Sequence, residues 1–372
     1  MVSDAWLALL QASQLSPQVW LEALKALGSA EALLAEPERA LLGLGLPAEA
    51  VGRLRSPDDA VAQRWRRWLA GPNRSLVTFG SPLYPPRLAE IQTAPLALWV
   101  EGPEPALLAA PQLAMVGSRN PTTTGRETAE QFARYLSARG LTITSGLATG
   151  IDGASHRGAL PEIGTTIAVL GSGPDVIFPR AHERLAADIG ARGLVVSEFP
   201  PGTEPQKFFF PQRNRVIAGL ALGTLVVEAT RRSGSLITAR WATDFGREVF
   251  AIPGSIHNPL ARGCHWLIRQ GAKLVEEAAD VLVELAPQLK LDLAEPPPAP
   301  AEAARGSGLE ADSAYRNLLN ALDFSPIPIG DLATRVQLTA GELSSMLLIL
   351  ELEGLVEALP GGRYARLGKR SK

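Results

Sequence analysis

The 372-residue sequence predicts an α/β protein: a doubly wound, mainly parallel sheet, with a helical module before it and a three-helix module with a hairpin after it. Three observations carry this. Between residues 113 and 252, short apolar, β-branched runs end in small polar residues and alternate with helical stretches, as strands covered on both faces do. Ahead of them, apolar residues recur at helical spacing: Trp6, Leu9, Leu10, then Trp20, Leu21, Leu24, Leu27. Behind them, Pro296-Pro297-Pro298-Ala299-Pro300 and Gly306-Ser307-Gly308 form an extended linker before a module of a size that folds alone. The expected division is 1–70 helical, 71–290 α/β, 291–309 linker and 310–372 C-terminal module.

In chain order, Gly28, Gly43-Leu44-Gly45 and Pro47 supply the stops between the first helices. Asp4 and the lack of a basic stretch before Trp6-Leu7-Ala8-Leu9-Leu10 do not suit a signal peptide. The strands are expected at Leu113–Val116, Leu141–Thr144, Thr165–Leu170, Leu194–Val196, Thr224–Val227 and Val249–Ile252. The most apolar run, Val216 to Val227, holds two glycines and is too short to cross a bilayer, so membrane insertion is not expected. The C-terminal helices are expected at Ala314–Leu322, Ile329–Val336 and Gly341–Glu353, followed by Leu355–Leu359, a Pro360-Gly361-Gly362 turn and Tyr364–Arg366. This is the outline of a winged helix. Its third helix carries Glu342, Glu351 and Glu353 with no Lys or Arg, which suits a partner-binding or regulatory module better than a DNA reader.

A net charge of −2 conceals an uneven distribution. Residues 1–110 carry 9 Lys/Arg against 11 Asp/Glu, whereas residues 111–290 carry 19 against 16. Within 205–240, Lys207, Arg213, Arg215, Arg231, Arg232 and Arg240 face Glu228 alone. A basic cluster of this kind is either a solvated face or an anion site. The single cysteine rules out a disulfide framework and a multi-cysteine metal site, and a reducing, cytoplasmic compartment is the simplest expectation.

In an open parallel sheet, ligands bind beyond the carboxyl ends of the strands. Here those ends read Gly117-Ser118-Arg119, Ser145-Gly146, Gly171-Ser172-Gly173, Ser233-Gly234-Ser235 shortly after Glu228, and Pro253-Gly254-Ser255. Glycine lets backbone N–H groups approach an anion, serine hydroxyls add donors, and the Arg119 fork grips a phosphate. No dinucleotide fingerprint and no P-loop is present, because Val176 stands where a third glycine belongs and no Gly-Lys-Ser/Thr follows a glycine-rich loop. His156, His182, His257 and His265 form no metal-ligand spacing, and neither a metal nor a cofactor is expected. Asp152 and His156, four apart, read as a capping carboxylate and a packed imidazole; Glu228 is either a general acid or base or a neutraliser of nearby arginines. Lys207-Phe208-Phe209-Phe210-Pro211-Gln212-Arg213-Asn214-Arg215 interleaves cations with aromatics, which suits a single strand with free base faces. At least one of the three phenylalanines is expected in the core.

These residues together resemble the DprA/Smf family of DNA-processing proteins. The match runs through Gly117-Ser118-Arg119, Ser145 to Asp152, Ala168 to Gly173, Phe178-Pro179, Ser197-Glu198, Phe210 to Gly219, Val227-Glu228-Ala229, Ser233 to Ala239 and Pro253-Gly254-Ser255. Order and spacing hold over roughly residues 75–275. The resemblance implies an extended Rossmann core with a SAM-like helical module in front and a winged-helix-like module behind. It also implies binding of single-stranded DNA without sequence preference, and protection and loading of that strand with the RecA recombinase in natural transformation or repair. Single-strand-binding protein and a homodimer through the Rossmann domain belong to the same implication. Carried over by motif, Arg119 and Lys207 grip phosphates and Phe210 stacks or walls the pocket. Ser118, Ser233, Gly234 and Ser235 donate hydrogen bonds, and Arg213 and Arg215 add charge unless one of them serves the fold. Gly117, Ser145, Gly146, Gly171, Gly173 and Asn214 complete the expected phosphate and DNA contacts, and Phe178 stands where the family usually has Tyr. The alternative is an enzyme similar to nucleotide phosphoribohydrolases, with Glu228 as the catalytic carboxylate, although the Pro-Gly-Gly element of that signature is missing.

Overall fold

The computed structural model describes residues 3–13, 17–289, 313–322, 326–336 and 338–367. The chain forms two compact units, residues 1–292 and 293–372. The linker expected at 291–309 lies outside the described residues.

The first unit begins with six helices: α1 (Asp4–Ala12), α2 (Pro17–Leu27), α3 (Ala30–Ala35), α4 (Glu38–Gly43), α5 (Ala48–Arg55) and α6 (Asp59–Leu69). Local chemistry sets their ends. Gly28 closes α2 at a φ of 87°, a conformation that side chains disfavour. Ser29 accepts from the Ala32 N–H at the start of α3, and Asp58 accepts from the Ala60 and Val61 N–H groups at the start of α6. The apolar stripes of Leu9, Trp20, Leu21 and Leu24 turn inward, as their spacing predicts.

The nine strands that follow are β1 (Arg74–Thr78), β2 (Ala97–Glu101), β3 (Gln112–Val116), β4 (Thr142–Ser145), β5 (Thr166–Leu170), β6 (Leu194–Ser197), β7 (Gly223–Val226), β8 (Glu248–Ala251) and β9 (Lys273–Leu274). They form one sheet in the order β1-β2-β6-β5-β4-β3-β7-β8-β9. All neighbours from β6 through β9 are parallel, and only β1 with β2 and β2 with β6 run antiparallel. The intervening helices are α7 (Pro86–Ala89), α8 (Thr123–Ser137), α9 (Ile151–Ala159), α10 (Glu183–Arg192), α11 (Phe209–Leu220), α12 (Ser235–Asp244), α13 (Arg262–Arg269) and α14 (Ala278–Leu289). Strand alternation divides the core. Ala114 and Val116 pack with Val216, Ile217 and Leu220 of α11 on one face, and Leu113 and Met115 pack with Ala129, Ala133 and Leu136 of α8 on the other.

The six expected strands are β3 to β8, with ends shifted by at most one residue. The sequence reading did not include β1, β2 and β9: β1 is half-buried, and β9 has two residues. β2 has a structural role beyond the sheet. Its Trp99 meets Trp65 and Trp68 of α6 edge-to-face at 5.4 and 5.8 Å, so the N-terminal helices close on the antiparallel edge of the sheet.

The second unit contains α15 (Ser313–Ala321), β10 (Ile327–Pro328), α16 (Ile329–Val336), α17 (Ala340–Leu352), β11 (Val356–Leu359) and β12 (Arg363–Arg366). Leu318, Leu319, Leu332, Leu343, Leu347 and Leu350 fill its core. Thr339 and Glu342 form a reciprocal capping box at the start of α17. The short strand β10 adds to the expected hairpin and gives the antiparallel order β10-β12-β11 of a winged helix. Among the described residues, no helix is long and apolar enough to cross a membrane.

Candidate functional site

The strand order determines where a ligand can enter. From β3 the parallel strands step one way to β4, β5 and β6, and from its other neighbour, β7, they step the other way to β8 and β9. The crossovers leaving β3 and β7 therefore diverge and open a crevice beyond their carboxyl ends. A cleft of about 690 Å³ lies there, lined from the β3 end by Gly117, Ser118 and Arg119 and from the β7 side by Thr230, Ser233, Gly234, Ser235, Ile237 and Thr238.

α11 supplies the opposite wall. Phe210, Arg213, Asn214 and Ile217 fall at i, i+3, i+4 and i+7, and all four line the cleft. Lys207 just before the helix, and Phe178 from the loop after β5, complete it. The Phe178 and Phe210 rings stand 5.5 Å apart, and the Arg119 guanidinium lies 5.7 Å from the Phe210 ring centre. Arg119 and Lys207 are both exposed, so two cations and an aromatic pair share one opening.

The hydroxyls have protons to offer. Ser118 Oγ accepts from the Asn120 N–H at 3.1 Å, which leaves its own proton to donate. Ser233 and Ser235 pair at 2.7 Å, using one of their two hydroxyl protons. Asn214 Nδ2 donates to the Gly234 carbonyl at 3.4 Å and ties α11 to this loop across the cleft. A Cβ added at Gly234 would meet nothing within 4 Å, so the start of α12 faces open space.

Several of the expected contact residues have their side chains or backbone engaged within the fold. Arg213 is buried, although it borders the cleft; its guanidinium donates to the carbonyls of Val169 and, at 2.7 Å, Gly146. Burial pushes it down to about 10, opposed by the Asp152 carboxylate. Arg215 is buried in an ion pair with Glu198 and does not line the cleft. The Ser145 hydroxyl donates to the Met115 carbonyl at 2.6 Å and is fully buried. Gly146 has no side chain because the Arg213 guanidinium occupies that space, and Gly171 has none because the Phe210 ring does. Gly173 is pressed against the Pro200 carbonyl and donates to Thr203 O at 2.8 Å. Cations and glycines in a motif do not distinguish a ligand contact from a support behind it; burial does.

The candidate catalytic groups are likewise occupied. Glu228 accepts from the Thr122 N–H at 2.9 Å and from the Thr122 hydroxyl at 2.7 Å, while Thr122 Oγ1 caps α8 by accepting from the Gly125 N–H. Its carboxylate fills the space above Gly125, so Glu228 anchors the start of α8, just beyond the Arg119 loop. Asp152 accepts from the N–H groups of Gly146 and Ala148 and thereby braces the loop in which Leu147 holds a φ of 58°. Burial raises its carboxyl despite the Arg213 charge. The Thr166 hydroxyl donates to Ile143 O, so it receives its 2.7 Å bond from His156 Nδ1–H; Nε2 is buried without a partner, and burial pushes the ring down to about 3. None of the three phenylalanines is fully buried: Phe208 is 61% exposed, and Phe209 packs on Phe199 at 4.2 Å. No cluster that could hold a metal occurs among the described residues.

The family model for DNA recombination-mediator protein A matches residues 75–286. The chain belongs to that family. A DprA winged helix domain model matches residues 294–362. Among curated relatives, Protein Smf of Escherichia coli is 46% identical over 303 residues, covering 81% of this chain and 79% of that protein. DNA processing protein DprA of Streptococcus pneumoniae is 51% identical over 201 residues, covering 54% and 71%. The solved DprA structure from S. pneumoniae superposes with a TM-score of 0.68 at 39% identity, over 76% of this chain and 98% of that one. A second solved structure, described for the single-stranded DNA binding mode of DNA processing protein A from Helicobacter pylori, gives a TM-score of 0.52 at 27% identity, over 57% and 97%.

In this DprA-family chain the sequence reading missed Thr230, Ile237, Thr238 and Ile217 as cleft residues. Helical spacing on α11 carried the signal for Ile217. Ile237 and Thr238 required the strand order, because only the neighbouring of β3 and β7 brings the α12 end of the Ser-Gly-Ser loop to the Arg119 side.

Proposed function

We propose that this DprA-family chain binds single-stranded DNA at the switch-point cleft, without sequence preference, as a recombination mediator rather than an enzyme. The observation that carries the reading is the convergence of exposed Arg119 and Lys207 with the Phe178–Phe210 pair in one opening. The two cations follow successive phosphates, the hydroxyls of Ser118, Ser233 and Ser235 add hydrogen bonds, and the aromatic pair receives an unpaired base. Every base has a face to stack, so such a site is indifferent to sequence. The single-stranded DNA binding described for the H. pylori relative supports this assignment.

On this reading, Arg213, Arg215, Ser145, Gly146, Gly171 and Gly173 act indirectly, by holding Phe210 and the strand-end loops in place. The chain protects incoming single strands in the cytoplasm, together with single-strand-binding protein, and delivers them to RecA in transformation or repair. It works as a homodimer through residues 71–290, with residues 1–70 and 310–372 serving structure and docking. The test is oligo-dT binding across a salt series. Arg119→Ala and Lys207→Ala are each expected to weaken binding about tenfold or more and to lower the salt slope by about 0.7. Wild-type affinity and slope in both variants would refute the assignment. Loading of RecA onto strands coated with single-strand-binding protein tests the mediator role separately.

A further inference from the structure

In a DNA-reading winged helix, the helix placed as α17 enters the major groove. Here its buried face is Leu343, Leu347 and Leu350, which close the core of the unit. Its opposite face carries Ser345, Leu348, Ile349 and Leu352, spaced i, i+3, i+4 and i+7 in one stripe. Leu348 is 57% exposed, Ile349 38% and Leu352 80%. These are the exposed large apolar side chains among the described residues of the second unit, and all of them lie on this one face.

The charge on α17 itself is of one sign. Glu351 and Glu353 are exposed at the C-terminal end of α17, where the helix dipole is also negative, and no Lys or Arg lies on the helix. Glu342, at the other end, is tied to Thr339. Duplex DNA is repelled by such a rim. A second copy of α17 fits no better: parallel, Glu351 faces Glu351, and antiparallel, the carboxylates of one end meet Glu342, with no cation on either helix.

We propose that this stripe docks an amphipathic helix of another protein, one whose apolar residues recur at i, i+3, i+4 and i+7 and are flanked by Lys and Arg. Leu348 and Leu352 are the anchors, and Glu351 and Glu353 select for the basic rim. The proposal is independent of the DNA cleft.

The test uses the full chain and two labelled helical peptides of about four turns, with identical leucines at this spacing. One has Lys at the flanking positions and the other has Glu. Fluorescence anisotropy is expected to show the Lys peptide binding at least about tenfold more tightly. Leu348→Ser with Leu352→Ser should weaken it about tenfold or more, and Glu351→Lys with Glu353→Lys should invert the preference. Oligo-dT affinity and thermal unfolding should not change in either variant, because both pairs are exposed on the second unit and none of these four residues is among the proposed DNA contacts. Equal binding of the two peptides, binding of neither, or full binding by the double-serine variant would overturn the proposal. A self-association step, or duplex DNA binding, abolished by the same serine pair would overturn it in favour of a second copy or of DNA.

Discussion

Arg213→Met separates the roles of fold and ligand at the cleft. Methionine keeps most of the length of the stem and removes every donor. The Gly146 and Val169 carbonyls then lose their buried guanidinium, at about 1–3 kcal/mol for each unsatisfied group, and Asp152 loses the cation beside it. Removing one member of a buried charge pair costs about 3–5 kcal/mol. The two losses overlap, because they describe one network, and Asp152 can take up a proton, so about 3 kcal/mol is the expected net cost. In a unit of this size that lowers Tm by about 5 °C. Differential scanning fluorimetry measures the shift, and anisotropy with oligo-dT across a salt series measures the ligand term. The salt slope should match wild type, because on the proposed reading Arg213 braces the Gly146 loop and touches no phosphate. A variant with wild-type Tm and a shallower slope would refute the reasoning and make Arg213 a ligand of the backbone.

Phe210→Ala should weaken oligo-dT binding by about 1–3 kcal/mol at an unchanged salt slope, since the ring stacks and carries no charge; titrations at two salt concentrations check both parts. His156 makes stability fall in acid. The unfolded ring takes up a proton near 6.5 and the folded one only at about 3, so its contribution is complete above pH 6.5 and is lost as the pH falls through that window. Urea midpoints at pH 7 and pH 4.5 should therefore differ by less in His156→Leu than in wild type. Glu228→Gln replaces one charged acceptor at the cap of α8 and should cost about 1–2 kcal/mol in thermal unfolding. The same protein preparations should release no base from nucleoside monophosphates, and release that Glu228→Gln abolishes would favour the enzyme.

The parallel core was legible because its strands are buried on both faces and read as unbroken apolar runs; Leu113 to Val116 and Thr166 to Leu170 are fully buried along their length. β1 was not, because only Val77 of its five residues is buried and the run carries no clear alternation. The site was half legible. Arg119, Lys207, Phe210 and the Ser233-Gly234-Ser235 loop stand at the cleft as their chemistry suggested. Arg213 and Arg215 have the same side chain as Arg119, yet one braces the Gly146 loop and the other neutralises Glu198. What distinguishes them is the direction each takes from α11, which depends on the loops packed against that helix. The N-terminal module was read as helical from its spacing, but its attachment depends on Trp99, a long-range contact without a local pattern.

Selection of unpaired bases is the property that defines the proposed cleft. Competition between a labelled oligo-dT and unlabelled single- or double-stranded DNA of equal length tests it most directly. A strong preference for the single strand, lost in Phe210→Ala, is the predicted result. Equal competition by the duplex would contradict the account and leave a cleft that recognises phosphate charge alone.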